Sequence, residues 1–408
     1  MFSLSPCFFF IFAPKLQTDK IMRIAVVGAT GLVGSKMLQV LDEQKVQIDE
    51  LIVAASERSV GKEIVFQNKT YKVISVDEAI DKRPDIAIFS AGAAASKQYA
   101  PKFAAQGTFV IDNSSAWRME KDVPLVVPEI NADTITKDTR IIANPNCSTI
   151  QMVMALAPIH KAFGIKRLVI ATYQSVSGSG LKGINQLNYE EESFSQLANR
   201  LDCFVPRNDA KRQTAYSHQI YRNVLPHGGD FCDNGYTTEE EKLVNETRKI
   251  LRDPNIAITA TVCRVPVTGG HSEAVSVETL KPFEIEEVRR LLEAMPGVVV
   301  QDDPSANLYP MALTAYDRDE VFVGRIRRDH SVENGMNLWV VSDNIRKGAA
   351  TNAVQIAQYL IKTQFSTNDP HCGLDPQSPT LKESPSRKGD GGCSSAMREK
   401  GSSSHSII

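Results

Sequence analysis

Five short apolar runs, separated by loops and helical patterns, restrict the fold of this chain more than any other feature. Continuous apolar runs of four or five residues are typical of parallel strands buried on both faces. A helical pattern lies between two of them, and the alternation predicts an α/β fold with a Rossmann-type, doubly wound nucleotide domain, which binds ligands at the carboxyl ends of its strands. The runs occupy residues 23–27, 51–55, 85–89, 108–111 and 140–143.

A glycine-rich loop, Gly28-Ala29-Thr30-Gly31-Leu32-Val33-Gly34, follows the first strand and opens a helical pattern. Glycines let the backbone approach a pyrophosphate, and the helix N-terminus supplies N–H donors. The spacing G-x-x-G-x-x-G is rarer than G-x-G-x-x-G, and such a loop can also be a simple tight turn. The order of strand, loop and helix favours a dinucleotide site.

The choice of cofactor is expected at the end of the second strand, where residues 55–59 read Ala-Ser-Glu-Arg-Ser. An acidic residue there binds the ribose hydroxyls of NAD, whereas an arginine can pair with the 2′-phosphate of NADP. Both types are present, but Arg58 between Ser56 and Ser59 favours NADP(H). The alternative is that Glu57 and Arg58 are solvated loop charges.

The pattern changes after residue 148, where longer β-rich runs and two helical segments, at 185–199 and 239–251, replace the short buried strands. This change predicts an α+β catalytic and dimerisation domain with a mostly antiparallel sheet, one face of which can pair with another subunit. The last helical pattern can return to cover the nucleotide domain. The predicted bounds are 22–148 for the nucleotide domain, 149–343 for the second domain and 344–364 for the closing helix.

The two ends of the chain differ from the rest. Residues 1–21 contain a short apolar stretch with no basic segment before it, too short to span a bilayer, and Met22 directly precedes the first strand. We expect the folded protein to begin near Met22, with residues 1–21 as a leader outside it. Residues 365–408 are rich in Ser, Pro, Gly and Lys without apolar periodicity, which predicts a disordered tail.

Charge and cysteine content narrow the class of protein. The formal net charge of −2 argues against bulk affinity for nucleic acid or anionic membranes, so small-molecule partners are expected. The seven cysteines are scattered and show no metal-ligand spacing, which disfavours a disulfide framework or a zinc site. A reducing compartment, the cytoplasm, fits this pattern.

One cysteine, Cys147, lies in Asn144-Pro145-Asn146-Cys147-Ser148-Thr149, between an apolar strand and an apolar helical pattern. Free N–H groups and the helix dipole at such a position favour the thiolate and can hold an oxyanion. The alternative is a small hydrophobic residue at a strand-helix turn. The nucleotide loop weakens that alternative, because a thiolate beside a nicotinamide suits aldehyde oxidation through a thiohemiacetal and an acyl-thioester, or the reverse.

Such a site needs a base and groups that bind anions. His271, in Gly269-Gly270-His271, lies in a glycine turn just before a predicted strand and is the best-placed histidine. Arg264 lies seven residues earlier, on the opposite face of a regular strand, but Pro266 and the two glycines can bring both into one pocket. An arginine there can bind a carboxylate or can be a surface ion-pair residue. Arg118, just after a sheet strand, can hold a second anion such as phosphate.

Across residues 22–362 the chain resembles the aspartate-semialdehyde dehydrogenase family. The Asn-Pro-Asn-Cys form is similar to the branch found in many Gram-positive and some other bacteria. The stretches that carry the resemblance, in order, are GATGLVG, ASERSVGK, DNSSAWRM, NPNCST, YQSVSGSG, EEEKLVNETRKIL, RVPVTGGHSE and VSDNIRKGAA.

The resemblance implies a role for each matched residue. Cys147 would be the acyl-thioester nucleophile and His271 the general acid and base, with Gln174 and Asn146 orienting the substrate. Arg264 would bind the substrate carboxylate and Glu239 its amine, with Glu240 and Glu241 as alternatives to Glu239. Arg118 and Lys242 would hold phosphate. The residues implied at the cofactor are Gly28, Thr30, Gly31, Leu32, Val33, Gly34, Ser56, Arg58, Ser59, Ser177, Gly178 and Asn344. Two departures from the family pattern are Val60, in place of an alanine, and the two glycines before His271, which can loosen its loop.

The implied enzyme is an NADP-dependent phosphorylating aldehyde dehydrogenase. It would interconvert L-4-aspartyl phosphate and L-aspartate 4-semialdehyde, for the synthesis of lysine, threonine, methionine and diaminopimelate, as a homodimer or possible homotetramer. Two enzyme alternatives are N-acetyl-γ-glutamyl-phosphate reductase, which usually reads Gly-Cys-Tyr-Pro at the cysteine, and a phosphorylating glyceraldehyde-phosphate dehydrogenase. A non-catalytic NADP-binding regulator is the alternative from another class, and it predicts a lost thiol or base.

Overall fold

The computed structural model of the protein describes residues 21–197 and 214–365. The predicted leader and tail lie outside the described residues, apart from Ile21 and Phe365 at their inner ends. The last residues of the helix predicted at 185–199 also lie outside them.

A five-stranded parallel sheet forms the first part of the fold, with strands in the order β2-β1-β5-β6-β7. The chain order reverses between β2 and β5, on either side of β1, and a doubly wound sheet binds its ligand at such a point. The elements are β1 (Arg23–Val27), α1 (Leu32–Glu43), β2 (Glu50–Ala54), β3 (Glu63–Phe66), β4 (Lys69–Lys72), α2 (Val76–Asp81), β5 (Ile86–Phe89), α3 (Ala93–Ala105), β6 (Phe109–Asp112), α4 (Pro128–Asn131) and β7 (Ile141–Ala143).

Apolar side chains cover both faces of this sheet. Ile24 and Val26 of β1 belong to one core cluster, with α1 and residues 350–360, while Ala25 and Val27 belong to another, with α2 and α3. Successive strand residues point to opposite faces, so a strand covered on both sides must be apolar throughout. The Rossmann-type prediction is confirmed, and the loop after β1 lies at the reversal point.

A six-stranded sheet forms the second part, in the order β11-β12-β13-β10-β8-β9. The central pairs are antiparallel, as predicted, but the edge pairs β11-β12 and β8-β9 are parallel, so the sheet is mixed. Helices lie between β8 and β9 in the chain, and such a crossover permits parallel pairing. The elements are α5 (Cys147–Phe163), β8 (Ile165–Gln174), α6 (Gly180–Leu197), α7 (Thr238–Leu251), β9 (Ala257–Arg264), β10 (His271–Thr279), α8 (Ile285–Glu293), β11 (Val298–Val300), α9 (Ala312–Ala315), β12 (Val321–Asp329) and β13 (Gly335–Ser342).

Helix α5 connects the two sheets. It follows β7 of the parallel sheet directly and packs its apolar residues, such as Ile150 and Val153, into the core beneath the mixed sheet. A helix that is apolar all round is a buried helix. This placement holds Cys147 at the carboxyl edge of the parallel sheet.

The closing segment is not one regular helix. A π-helical turn (Arg346–Ala350) precedes α10 (Thr351–Leu360), and a second π-helical turn (Ile361–Phe365) follows it. Apolar residues of α10 pack in the same cluster as β1 and α1. The exposed β3-β4 hairpin, α8 and β11 were not predicted from the sequence. The bounds of the predicted domains stay predictions.

Candidate active site

Asn146 caps the N-terminus of α5 directly before Cys147. Its Oδ1 accepts hydrogen bonds from the backbone N–H groups of Ser148 (3.0 Å) and Thr149 (3.3 Å). An Asn at this position is a favoured helix cap. The cap uses two of the donors that the sequence analysis assigned to a substrate oxyanion, so those N–H groups are engaged in the structure.

The Cys147 thiol is partly exposed at the cavity wall but is surrounded by protein. Burial, and after it the charge of Glu239, raises the pKa of the Cys147 thiol to about 12, while Arg264 and Arg118 oppose the shift. The expectation that the helix N-terminus favours a thiolate is therefore not met: the neutral thiol predominates at pH 7. A low-dielectric site with a nearby carboxylate outweighs the helix dipole.

The chain passes very close to this thiol at Gly348, in the π-helical turn. A β-carbon at Gly348 would lie 2.8 Å from Cβ of Cys147, closer than two carbons normally approach. Glycine is therefore required at this position for the turn to pack against the nucleophile. Distorted helical turns of this kind occur often at functional sites.

Arg264 and His271 meet at Gly178, despite the odd number of residues between them. A β-carbon at Gly178 would lie 2.6 Å from Arg264 Nη1 and 3.2 Å from His271 Nε2. Arg264 ends β9 and His271 begins β10, and the irregular segment between them brings both side chains to one place. Arg264 Nη1 donates to the Ser175 carbonyl (2.8 Å), while its buried Nε has no hydrogen-bond partner among the described residues.

His271 is fully buried and neutral. Burial, and then the Arg264 charge, hold the pKa of the His271 imidazole well below its ordinary value. Its Nδ1 accepts the backbone N–H of Ser175 at 3.1 Å, which places the proton of the neutral ring on Nε2. The Nε2 atom has no partner among the described residues and lies beside Gly178, so in this form His271 presents a donor to the cavity.

The two glycines before His271 are needed for packing. A β-carbon at Gly269 would lie 2.1 Å from the ring of Tyr316, and one at Gly270, whose φ is +83°, would lie 2.7 Å from the Ala312 carbonyl oxygen. They let the segment around α9 pack directly against the histidine turn. The expectation that they loosen this turn is therefore not met.

A cavity of about 240 Å³ is lined by nine of the twenty predicted site residues. Gln174 lies behind it, where its Nε2 donates to Ser148 Oγ at 2.8 Å and its buried Oε1 has no partner in the described part of the chain. The lining includes Val33, Arg118, Asn146, Cys147, Ser177, Gly178, Glu239, Lys242 and Asn344.

Glu239 is the glutamate that faces the cavity. Its Oε1 accepts Asn146 Nδ2 at 2.6 Å and its Oε2 pairs with Lys242 at 2.7 Å. Burial opposes its ionisation, but Lys242 and Asn146 outweigh burial and lower the pKa of the Glu239 carboxyl. Glu240 instead caps its own helix, and Glu241 accepts from Asn234. The geometry favours Glu239 over both alternatives.

Arg118 is fixed by a buried acidic partner that the sequence analysis missed. Its Nη1 pairs with Glu246 Oε1 at 3.1 Å, and Glu246 Oε2 accepts the backbone N–H of Asn146 at 2.7 Å. One carboxylate therefore ties a predicted phosphate-binding residue to the loop of the nucleophile. Glu246 follows Glu239 by seven residues on α7, a helical spacing that places both on one face.

The loop after β1 packs too tightly for side chains. A β-carbon at Gly28, whose φ is +87°, would lie 2.4 Å from the Ser90 carbonyl oxygen, and one at Gly34 would lie 2.1 Å from the Gly28 carbonyl oxygen. The bare loop leaves the N-terminus of α1 accessible to an anion, with Leu32 and Val33 in the first turn. This arrangement fits a dinucleotide pyrophosphate.

A small group of hydroxyls and cations follows β2. Thr30 Oγ1 donates to Ser59 Oγ at 3.3 Å, and Lys62 Nζ donates to the same oxygen at 3.4 Å. Arg58 and Ser56 are exposed beside them. Lys62 was not singled out from the sequence, although it stands in the matched stretch ASERSVGK. The group has the charge and the donors that a 2′-phosphate requires.

Asn344 holds the loops around His271 together. Its Oδ1 accepts from Ser175 Oγ (2.9 Å) and the Gly270 N–H (3.2 Å), and its Nδ2 donates to Ser177 Oγ (3.0 Å). Asn344 and Ser177 therefore fix the histidine turn as well as lining the cavity.

Within residues 21–197 and 214–365, no group of three His, Cys, Asp or Glu side chains is placed to hold a metal ion. No helix in the same ranges has both the length and the apolar character needed to cross a membrane.

Two protein-family models match the chain. The model described as semialdehyde dehydrogenase, NAD binding domain, matches residues 23–138, and that described as semialdehyde dehydrogenase, dimerisation domain, matches residues 156–347. The aspartate-semialdehyde dehydrogenase of Aquifex aeolicus is 52% identical over 343 residues, which cover 83% of this chain and 98% of that protein. The protein of the same name from Bacillus subtilis is 43% identical over 342 residues, covering 84% and 98%.

Solved structures agree with these matches. Aspartate semialdehyde dehydrogenase II from Vibrio cholerae aligns with a TM-score of 0.78 at 46% identity, covering 85% of this chain and 100% of that one. The same protein complexed with ASA aligns at 45% identity with the same TM-score and coverage. Aspartate semialdehyde dehydrogenase with NADP from Candida albicans aligns with a TM-score of 0.64 at 25% identity, covering 84% and 98%. The two family models together cover both sheets except β7 (Ile141–Ala143).

Proposed function

The chain belongs to the aspartate-semialdehyde dehydrogenase family, and we propose that it reduces L-4-aspartyl phosphate to L-aspartate 4-semialdehyde and phosphate with NADPH, reversibly. One observation carries the proposal. The Cys147 thiol lies at a single cavity with Glu239, Arg118 and Lys242, and Gly178 of the same cavity contacts Arg264. Separate groups are thus available for a carboxylate, an amine and a phosphate around one nucleophile.

The charges around the cavity match the two ends of the substrate. Arg264 has an unpartnered buried Nε, and a bidentate arginine-carboxylate pair would satisfy it. Glu239 holds Lys242 at 2.7 Å in the structure. A substrate ammonium that pairs with Glu239 would release Lys242 toward the phosphate, beside Arg118.

Cys147 performs the covalent step. Its sulfur attacks the acyl carbon of aspartyl phosphate, phosphate leaves, and a thioester remains on the chain. Because the pKa of the free thiol is about 12, the proton must leave the sulfur within the substrate complex. Separating the reaction through a thioester lets phosphate depart before reduction begins.

His271 is placed to donate a proton. Its Nε2–H points to the cavity side at Gly178 and can protonate the oxygen or sulfur as the thiohemiacetal collapses to the aldehyde. To accept the thiol proton at Nε2, the ring must first move its own proton to Nδ1 and give up the Ser175 N–H bond. A substrate carboxylate on Arg264 favours such a proton transfer, since it neutralises the charge that lowers the pKa of His271.

The residues present fit NADP(H). Bound NADPH supplies the hydride for reduction of the Cys147 thioester. The glycine loop and the N-terminus of α1 would hold its pyrophosphate, and Thr30, Arg58, Ser59 and Lys62 its 2′-phosphate. Ser177, Gly178 and Asn344 line the same cavity as Cys147 and would contact the nicotinamide half.

Removing either cation near Ser59 is expected to weaken the binding of NADPH more than the binding of NADH. Arg58→Met and Lys62→Met should each raise the NADPH dissociation constant about tenfold, the loss of one charge-assisted hydrogen bond, while that of NADH changes less than about twofold. Lys69→Met, which removes an exposed cation on β4, is the matched control. Equal losses for the two dinucleotides would place the 2′-phosphate elsewhere.

A substrate panel tests the proposed reaction. The purified full chain should sustain the reduction of NADP by L-aspartate 4-semialdehyde over many turnovers only when phosphate is added. A preference for N-acetyl-L-glutamate 5-semialdehyde would assign the rival reductase activity. Tight NADPH binding without turnover of either aldehyde would instead identify a regulator.

The biological setting follows from this reaction. Aspartate 4-semialdehyde synthesis would serve the formation of lysine, threonine, methionine and diaminopimelate in the cytoplasm. The match to a dimerisation domain supports assembly as a homodimer, with a homotetramer as the further possibility.

A further inference from the structure

The inner face of the mixed sheet changes from polar to apolar next to the reacting residues. Gln174 and His271 stand at the ends of β8 and β10, and Thr172 lies directly opposite Glu273 in the next inward row. The rows beyond are apolar, beginning with Val275 opposite Ile170. A carboxyl and a hydroxyl therefore lie between the reaction centre and the hydrophobic core.

Glu273 is completely buried and has no ordinary partner. Neither of its carboxyl oxygens has a hydrogen-bond partner in the described part of the chain, and neither does the hydroxyl of Thr172. Ser148 and Gln151 of α5 lie beside the carboxyl, and Val340 of β13 flanks it in the sheet. The neighbours of the carboxyl group, which are Ser148, Gln151, Thr172 and Val340, are all uncharged.

A buried carboxylate without a counter-ion is costly, so this group is an uncharged acid. Burial raises the pKa of the Glu273 carboxyl well above its ordinary value. A neutral carboxyl group has one O–H donor and one free acceptor oxygen. It can therefore supply the donor that the buried Oε1 of Gln151 lacks, and accept the hydroxyl proton of Ser148.

Its two neighbours on α5 each contact another part of the site. Gln151 Nε2 donates to the backbone carbonyl of His271 at 3.3 Å. Ser148, the residue after Cys147, accepts Gln174 Nε2 at 2.8 Å. The carboxyl of Glu273 thus lies beside two residues of α5. One of them contacts β10 at His271, and the other belongs to the first turn of α5, next to Cys147.

We propose that Glu273 is a positioning residue which, as an uncharged acid between Ser148 and Gln151, sets the first turn of α5 against β10 and so fixes Cys147 relative to His271. This role rests on the proposed reactions of those two residues. The positioning role requires hydrogen bonds from Glu273 but no charge, whereas the role of a general base would require an ionised carboxylate.

Two substitutions of Glu273 test whether its hydrogen bonds or its charge are required. Glu273→Gln keeps the shape, a donor and an acceptor, and should retain kcat within about threefold, with an unchanged pH profile. Glu273→Leu removes the hydrogen bonds but not the volume, and should lower kcat at least about tenfold, with KM and the NADPH dissociation constant within about twofold.

Alkylation of Cys147 by iodoacetamide provides a second readout that does not depend on the substrate. Glu273→Leu should change the alkylation rate at least about threefold because the first turn of α5 is released, and Glu273→Gln should restore it. A Gln variant that is as impaired as the Leu variant would overturn the proposal, and so would a Leu variant with wild-type kcat and alkylation. If Glu273→Leu does not fold, Glu273→Met replaces it. A wild-type enzyme without the proposed activity leaves the alkylation test intact.

Discussion

Cys147→Ser is expected to lower kcat by at least about a thousandfold, because a serine hydroxyl is a much weaker nucleophile and leaving group than a thiol. The dissociation constant for NADPH should stay within about twofold, since the exchange of sulfur for oxygen leaves the cavity shape almost unchanged. Steady-state turnover and a fluorescence titration with NADPH measure the two effects. Cys263→Ser, which changes a thiol on β9, is the matched control and should retain full activity.

The same thiol should show its raised pKa in the free enzyme. A pKa of about 12 means that the thiolate fraction, and with it the alkylation rate, should rise about tenfold per pH unit, without a plateau below about pH 10. A plateau near neutral pH would show that the helix N-terminus dominates after all. Retained activity in Cys147→Ser would remove the thiol from the mechanism.

Arg264→Leu is expected to raise KM for L-aspartate 4-semialdehyde about a hundredfold. The variant loses two parallel, charge-assisted hydrogen bonds to the substrate carboxylate, and the loss of two such bonds accounts for an effect of this size. The guanidinium is buried and already anchored on the Ser175 carbonyl, so no neighbouring side chain can replace its geometry. Arg167→Leu, at an exposed position on β8, is the control and should leave KM unchanged.

The Arg264 variant should also alter the pH profile. In the wild type, burial and then the Arg264 charge lower the pKa of His271, so the ring stays neutral well below pH 6.5. Removing the cation raises this pKa, and the neutral ring, whose Nδ1 accepts the Ser175 N–H, is then lost at a higher pH as the solution is acidified. The acidic limb of kcat/KM, which reports groups of the free enzyme, should therefore move to higher pH. An unmoved limb would show that Arg264 does not act on His271.

The parallel sheet could be predicted because its strands are buried on both faces and are therefore apolar throughout. The cavity could be predicted only in part. Cys147, Arg264 and His271 each lie at the end of an element, where a sequence pattern can place them. Glu246 reaches the Cys147 loop from a helix 100 positions away, and no local pattern signals that contact. The β3-β4 hairpin is largely exposed, so it lacks the apolar alternation by which a strand is recognised.

Electrostatics were the least predictable property of the site. The helix start at Cys147 is visible in the sequence and indicates a low thiol pKa, whereas the enclosing protein and Glu239, which raise it, depend on tertiary packing. Glu273 illustrates the same limit. Its position two residues after His271 is a regular strand spacing, and only the buried, uncharged surroundings distinguish it from an exposed acid.

A single-turnover experiment without phosphate tests the acyl-thioester account most directly. The enzyme is mixed with NADP and excess L-aspartate 4-semialdehyde, and NADPH absorbance is followed. We expect a burst of about one NADPH per active site, then near arrest, and resumed turnover when phosphate is added, because the acyl group stays on Cys147 until phosphate accepts it. Steady NADPH formation without phosphate, or no NADPH at all until phosphate is present, would contradict the account.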